Sequence, residues 1–307
     1  MKNIKILISL FIIFIIILNV DINKVNQTLT LMSFNNWAFA LFFVIINGFL
    51  AFLRWYLILD CLNADISWKK SIKLFYLGMS LNQLLPTSLA GEFYKYWSIK
   101  KNTNSLSLAA HSIVIEKSLP LINLFIIIAF NFYWLLDIYN LNLNFDNRDI
   151  IKIALVILIF IFLIFFLLFM IKKKMAYLNI SKLILDFNNS ISLCMSKGGK
   201  FYVAFSIGFV MFYFKCVSIF IIAKFLLIDL SLINSILILP VIFLISAIPI
   251  SISGWGLREG SMIILLSYIN ISKEQAVSLS LVVGISYLIA NVPALLLLFR
   301  INKKEFI

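Results

Sequence analysis

Six ionisable side chains interrupt apolar sequence in a way that could do chemistry: Glu92, Glu116, Lys117, Lys215, Arg258 and Glu259. A charge at bilayer depth is costly and, by default, marks a functional site. Arginine beside carboxylates can hold a phosphate bidentately. The carboxylates can take a cationic group or complete ion pairs with their basic neighbours. Covalent chemistry asks for more, namely a nucleophile with a base in reach, or paired catalytic carboxylates. Ser88 and Ser251 supply hydroxyls, but His111 is the sole histidine and cannot serve both. Cys61, Cys194 and Cys216 show neither metal spacing nor a disulfide framework. No glycine-rich phosphate loop with a lysine occurs, so ATP-driven pumping has no support. The expectation is a site without catalytic residues, metal or cofactor, in a protein that is not an enzyme.

Two stretches must position these groups. Ala247-Ile-Pro-Ile-Ser-Ile-Ser-Gly-Trp-Gly-Leu-Arg-Glu-Gly260 lies between very apolar runs. Leu85-Pro-Thr-Ser-Leu-Ala-Gly-Glu92 repeats its pattern: Pro86 and Pro249, Ser88 and Ser251, and Gly91 and Gly254 share one offset of 163 positions. Proline and glycine break a helix ladder, and each freed backbone group costs several kcal/mol in hydrocarbon. Such backbone survives at membrane depth only where protein buries it or water reaches it. Paired broken segments in two halves point to a transporter binding site. Half-helices starting near Gly91 and Gly256 turn their positive ends toward the midplane, where Glu92 and Glu259 are stabilised. Asn82 falls at the approach to the first break.

The chain that carries them is 63 % hydrophobic and 13 % charged, outside the range of soluble proteins. Continuous apolar runs exclude a β-barrel, whose strands alternate. The formal charge of +13 sits on the flanks of apolar runs. Membrane topology and anionic headgroups account for that better than nucleic acid does. The fold class expected is an all-α polytopic membrane protein in one domain, 1–307. About six spanning helices and two re-entrant helical hairpins form inverted halves, roughly 1–150 and 151–307.

The basic flanks give the order. Residues 1–20 read as a retained first span with its N-terminus cytoplasmic, because no small-residue cleavage site follows; residues 21–35 read as an external segment. The second span is 37–60, with Arg54 near its inner end, either snorkelling or lining a passage. Lys69, Lys70 and Lys73 precede segment 74–94, and Lys95, Lys100 and Lys101 follow it. With both flanks cytoplasmic, that segment enters and returns. The third span, 105–135, carries Glu116 and Lys117 beside Pro120, which removes a helical donor and predicts a kink. Residues 136–150 are acidic and external. The fourth span, 151–171, ends at Lys172-Lys-Lys174, and 175–200 reads as an amphipathic helix on the inner leaflet. The fifth span, 201–227, holds Lys215, which must pair with a carboxylate or face water. Residues 235–270 form a second hairpin or two short spans, a choice charge bias leaves open. The last span, 275–298, ends at Arg300, Lys303 and Lys304, placing the C-terminus cytoplasmic.

The run Pro249 to Gly260 resembles the signature of the lysylphosphatidylglycerol synthetase transmembrane region, a flippase-like family. Asn82-Gln-Leu-Leu-Pro-Thr-Ser-Leu-Ala-Gly-Glu92 is similar to its earlier motif, and Ile115-Glu-Lys117 to its Glu-Arg pair, with lysine in place of arginine. The resemblance implies an integral inner-membrane domain that moves a lipid headgroup between leaflets. Two-part synthetases add a soluble aminoacyl-transferase domain; this sequence ends at Ile307 without one, so lipid aminoacylation is not expected. The substrate would be a membrane phospholipid or lipid-linked headgroup. Asn82, Pro86, Ser88, Glu92, Glu116, Lys117, Lys215, Pro249, Ser251, Arg258 and Glu259 would line one shared cavity, shaped by Trp255, Gly91, Gly254 and Gly256. The alternative is a non-catalytic scaffold whose partner is a lipid-modifying enzyme. An intramembrane transferase is a third reading. The oligomeric state is unspecified.

Overall fold

A computed structural model describes residues 2–84, 90–138, 189–248 and 254–299. The expected fourth span, residues 175–188 of the amphipathic segment, both hairpin tips (with Pro86, Ser88, Pro249 and Ser251) and Arg300, Lys303 and Lys304 lie outside them. The described residues are helical and contain no strand. Among the described residues, four helices are long and apolar enough to cross a bilayer, or five spans if the bent pair Phe11–Asn19 and Ile22–Leu29 counts as one. The four are α3 (Phe34–Cys61), α6 (Leu106–Ile138), α7 (Gly199–Phe225) and α10 (Lys273–Phe299). At 28 and 27 residues, α3 and α7 are about 40 Å long, beyond the roughly 30 Å of hydrocarbon.

The α3–α7 pair is the most extensively packed in the bundle. It is antiparallel: Asp60 bonds Lys200 at one end, and Phe39 stacks edge-on to Phe225, 6.2 Å between centroids, at the other. Between the ends the Asn47 amide donates to the Met211 carbonyl at 3.0 Å. Phe212, Cys216, Ile219 and Ile222 continue from this pair into the largest core cluster, against Ile238, Ile242, Met262 and Leu279.

The first hairpin pairs α4 (Trp68–Leu84) with α5 (Ala90–Thr103), and the second pairs α8 (Leu232–Ser246) with α9 (Leu257–Ser267). Their limbs of 17, 14, 15 and 11 residues are about 17–26 Å long, each too short to cross. The first follows the Asp60 end of the α3–α7 pair and the second follows the Phe225 end. The two hairpins therefore enter from opposite ends of the bundle. The two hairpins are bridged by α10, which packs against α4 of the first and α9 of the second.

Two local details add to the expectations. Within residues 21–35, expected to be external, Asp21 accepts from the Asn23 and Lys24 amides and caps α2 (Ile22–Leu29). This helix turns by 91° from Phe11–Asn19, the C-terminal part of α1 (Lys2–Asn19), and lies against α10. Its one buried side chain, Val25, suffices because polar residues face outward. Second, Pro120, the site of the expected kink, lies inside a helix that runs from Leu106 to Ile138.

Candidate functional site

The first hairpin is closed by its own motif. Gly91 lies against the backbone of α4: a Cβ added there would stand 1.8 Å from the Gly78 carbonyl oxygen. Only glycine permits this approach. Asn82 then reaches across, its Oδ1 accepting from the Gly91 amide at 2.7 Å and its amide donating to Glu92 Oε1 at 3.0 Å. Glu92, in the first turn of α5, also pairs with Lys117 of α6. Lys117 approaches from the exposed surface of the bundle, whereas Glu92 is buried.

One turn further along α5, Lys95 donates to both Glu116 oxygens, at 2.7 and 2.6 Å. Both side chains are buried, at 3 % and 7 % exposure. The ammonium also sits 5.2 Å from the ring centres of Trp55 and Phe75. Lys95 thus overturns its reading as a cytoplasmic flank. Three residues after Glu92 it shares that helix face, and the Glu116 carboxylate compensates its desolvation. The available signal was the spacing Glu92, Lys95 on a short helix next to a Glu116–Lys117 span.

The second hairpin is closed differently. Gly256 (φ +86°) precedes α9, and its amide donates to Glu259 Oε2 at 2.6 Å. Arg258 Nη2 donates to Glu259 Oε1 at 2.6 Å, and Arg258 Nε to the Ser280 hydroxyl of α10 at 2.8 Å. Ser280 in turn donates to Glu259 Oε1 at 2.7 Å. The guanidinium lies 4.9 Å from the Trp255 ring centre. Gly284 of α10 leaves the space: a Cβ there would meet Arg258 Nη2 at 2.5 Å. Gly254, also in the left-handed region at φ +81°, packs near Ser246 of α8.

Between the two closures lies a cavity of about 330 Å³, within the range of small-ligand sites. Its polar lining is Asn47 and Arg54 of α3, Tyr76 of α4, Asn123 of α6, Lys215 of α7, and Tyr287 and Asn291 of α10. Small residues make the room: Gly48 and Ala51 face it from α3 and Gly208 from α7, where Asn123 leans so close that a Cβ would clash at 2.3 Å. Ile45 lines it and is also 55 % exposed on the bundle surface, so the cavity reaches the lipid-facing side at α3.

The expected shared cavity thus takes another form. Glu92, Glu116 and Glu259 are each engaged by a cation and none lines it. Lys215 does line it, but instead of meeting a carboxylate its ammonium caps the Phe243 ring at 3.6 Å. Arg54, left between snorkelling and lining, is buried at 7 % exposure and lines the cavity; its Nε has no hydrogen-bond partner. Asn123 has no counterpart among the expected residues, because an asparagine in an apolar run carries no spacing signal; its Oδ1 is likewise buried without a partner.

The family described as Lysylphosphatidylglycerol synthase TM region matches residues 3–294 of this chain. No match is found among curated proteins or among solved structures.

Proposed function

The chain belongs to the lysylphosphatidylglycerol synthase TM region family, and from that premise we propose that it translocates a phospholipid or lipid-linked headgroup between leaflets. The family makes it a membrane protein of lipid metabolism or transport; the finer reading rests on the cavity. A headgroup cannot enter hydrocarbon without losing its hydration, at a cost of several kcal/mol per unpaired polar group. A passage therefore needs polar groups inside the bundle and an opening through which acyl chains stay in lipid. The Arg54–Asn47–Lys215 cavity, reaching the bundle surface at Ile45, supplies both. This is the observation that carries the proposal.

In this reading the protein performs no covalent chemistry and needs no cofactor. It works in the cell membrane with both termini cytoplasmic, and its partner is the lipid itself. Ion pairs hold the hairpins, and the cavity receives the headgroup. The test is transfer of a tail-labelled phospholipid in proteoliposomes, read by quenching of the outer leaflet. Protein-containing vesicles should lose more than the outer-leaflet signal within minutes, and empty vesicles should not. Equal traces for both, with anionic, zwitterionic and aminoacylated lipids alike, would leave the scaffold for a lipid-modifying enzyme as the better reading.

A further inference from the structure

Resting on that reading, we infer that Arg54 and Lys215 are two successive stations for an anionic, phosphate-bearing headgroup, and that the cavity selects against cationic, aminoacylated lipid. The charge inventory is the first ground. Within the bundle Glu92 pairs with Lys117, Glu116 with Lys95, and Glu259 with Arg258. Arg54 and Lys215 are left over: among the described residues neither has an ion pair or a hydrogen bond, though Glu116 acts on Arg54, and Arg258 on Lys215, through space. Glu116 accepts from Lys95 with both oxygens, and among the described residues no hydrogen bond joins it to the Arg54 guanidinium. A buried cation without a counter-ion is costly unless a ligand supplies the charge. Every charged group lining the cavity is therefore positive. An aminoacyl ammonium would meet two like charges and no carboxylate.

Placement is the second ground. Asn47 and Met211 are level across the antiparallel pair. Arg54 lies seven residues from Asn47 toward the Asp60 end, and Lys215 four residues from Met211 toward the Phe225 end. At 1.5 Å per residue their backbones are about 16 Å apart along the bundle axis, on opposite sides of that level. Glu116, on the first hairpin's side, acts through space on Arg54, and Arg258 of the second hairpin acts on Lys215. A phosphate held at one station needs to move about half the bilayer thickness to reach the other. Tyr76, Asn123 and Tyr287 offer polar atoms between them. The two cations also suit the ligand differently: Arg54 presents a planar fork and Lys215 a compact charge on an aromatic face.

The experiment has a transfer arm and a binding arm. Purified protein in vesicles is given tail-labelled phosphatidylglycerol, its lysyl ester or phosphatidylcholine. Phosphatidylglycerol should move at least tenfold faster than the lysyl ester. Arg54→Gln and Lys215→Met should each slow it at least tenfold. In detergent, phosphatidylglycerol should raise the thermal midpoint of the parent protein but not of the Arg54→Gln/Lys215→Met double variant. That arm also reports whether the variants fold. Transfer of the lysyl ester at the same rate as phosphatidylglycerol, or variants that transfer like the parent, would overturn the substrate class and leave translocation standing. No transfer of any lipid would overturn the translocation reading itself. A midpoint shift with glycerol phosphate equal to that with phosphatidylglycerol would make this a site for a free anion and overturn the lipid assignment.

Discussion

Glu116→Gln removes one partner of the most deeply buried ion pair among the described residues. Lys95 remains, 2 % exposed, with its charge stranded in the bundle. Breaking a buried pair in this way costs about 3–5 kcal/mol. Trp55 and Phe75, each 5.2 Å from the ammonium, keep part of the stabilisation, and a desolvated cation–π contact contributes about 2 kcal/mol. The loss should therefore fall near the lower end, about 3 kcal/mol, or a hundredfold in the folded-to-unfolded ratio. The assay is equilibrium unfolding in mixed micelles of rising SDS fraction, followed by tryptophan fluorescence. A second variant isolates the cause. Lys95→Met combined with Glu116→Leu removes both charges and keeps the volume, so it should recover most of the loss. A single change that costs less than 1 kcal/mol would refute the stranded-charge argument. So would a double variant that is no more stable than Glu116→Gln.

Two further outcomes follow from the hairpins. Gly91→Ala should abolish the folded yield or cost several kcal/mol, since its Cβ would meet the Gly78 carbonyl at 1.8 Å; Gly260→Ala, with nothing within 4 Å, should be neutral, and expression with a monodispersity profile compares the two. Cysteines placed at Lys70 and Lys100 in intact cells should both resist an impermeant thiol reagent, because Lys70 bonds Asn102 and the outer ends of α4 and α5 lie together. Labelling of one and not the other would mean that the α4–α5 segment crosses.

What the sequence made legible was the set of breaks. The shared offset of Pro86, Ser88 and Gly91 from Pro249, Ser251 and Gly254 located both hairpins, because proline and glycine act locally and leave a mark in the sequence. Four of the expected spans, those at α3, α6, α7 and α10, were legible for the same reason, as apolar length is a one-dimensional property. Partnership was not. Lys95 and Lys100 look alike as basic residues after a broken segment, yet Lys100 is exposed and Lys95 is buried against Glu116. The difference comes from which face of α5 meets α6, and that depends on the close crossing at Gly78 and Gly91. Arg54 and Asn123 had no motif around them. They acquire meaning only when α3, α6 and α7 enclose one space.

The division of charge also explains why the signature residues and the cavity residues are different sets. A hairpin that ends inside a membrane leaves amides at the start of its returning helix without partners. Asn82 and Glu259 accept from such amides, at Gly91 and Gly256. Carboxylates at those helix starts gain from the dipole but bring negative charge into the bundle. Each then needs a cation: Lys117 answers Glu92, and Arg258, steadied by Ser280, answers Glu259. Fold requirements consume these charges, however conspicuous they are in the sequence. A ligand can be recognised only by what the fold has not used. Among the described residues of this bundle, the charges left over are those of Arg54 and Lys215, which line the same cavity from opposite sides of the Asn47–Met211 level.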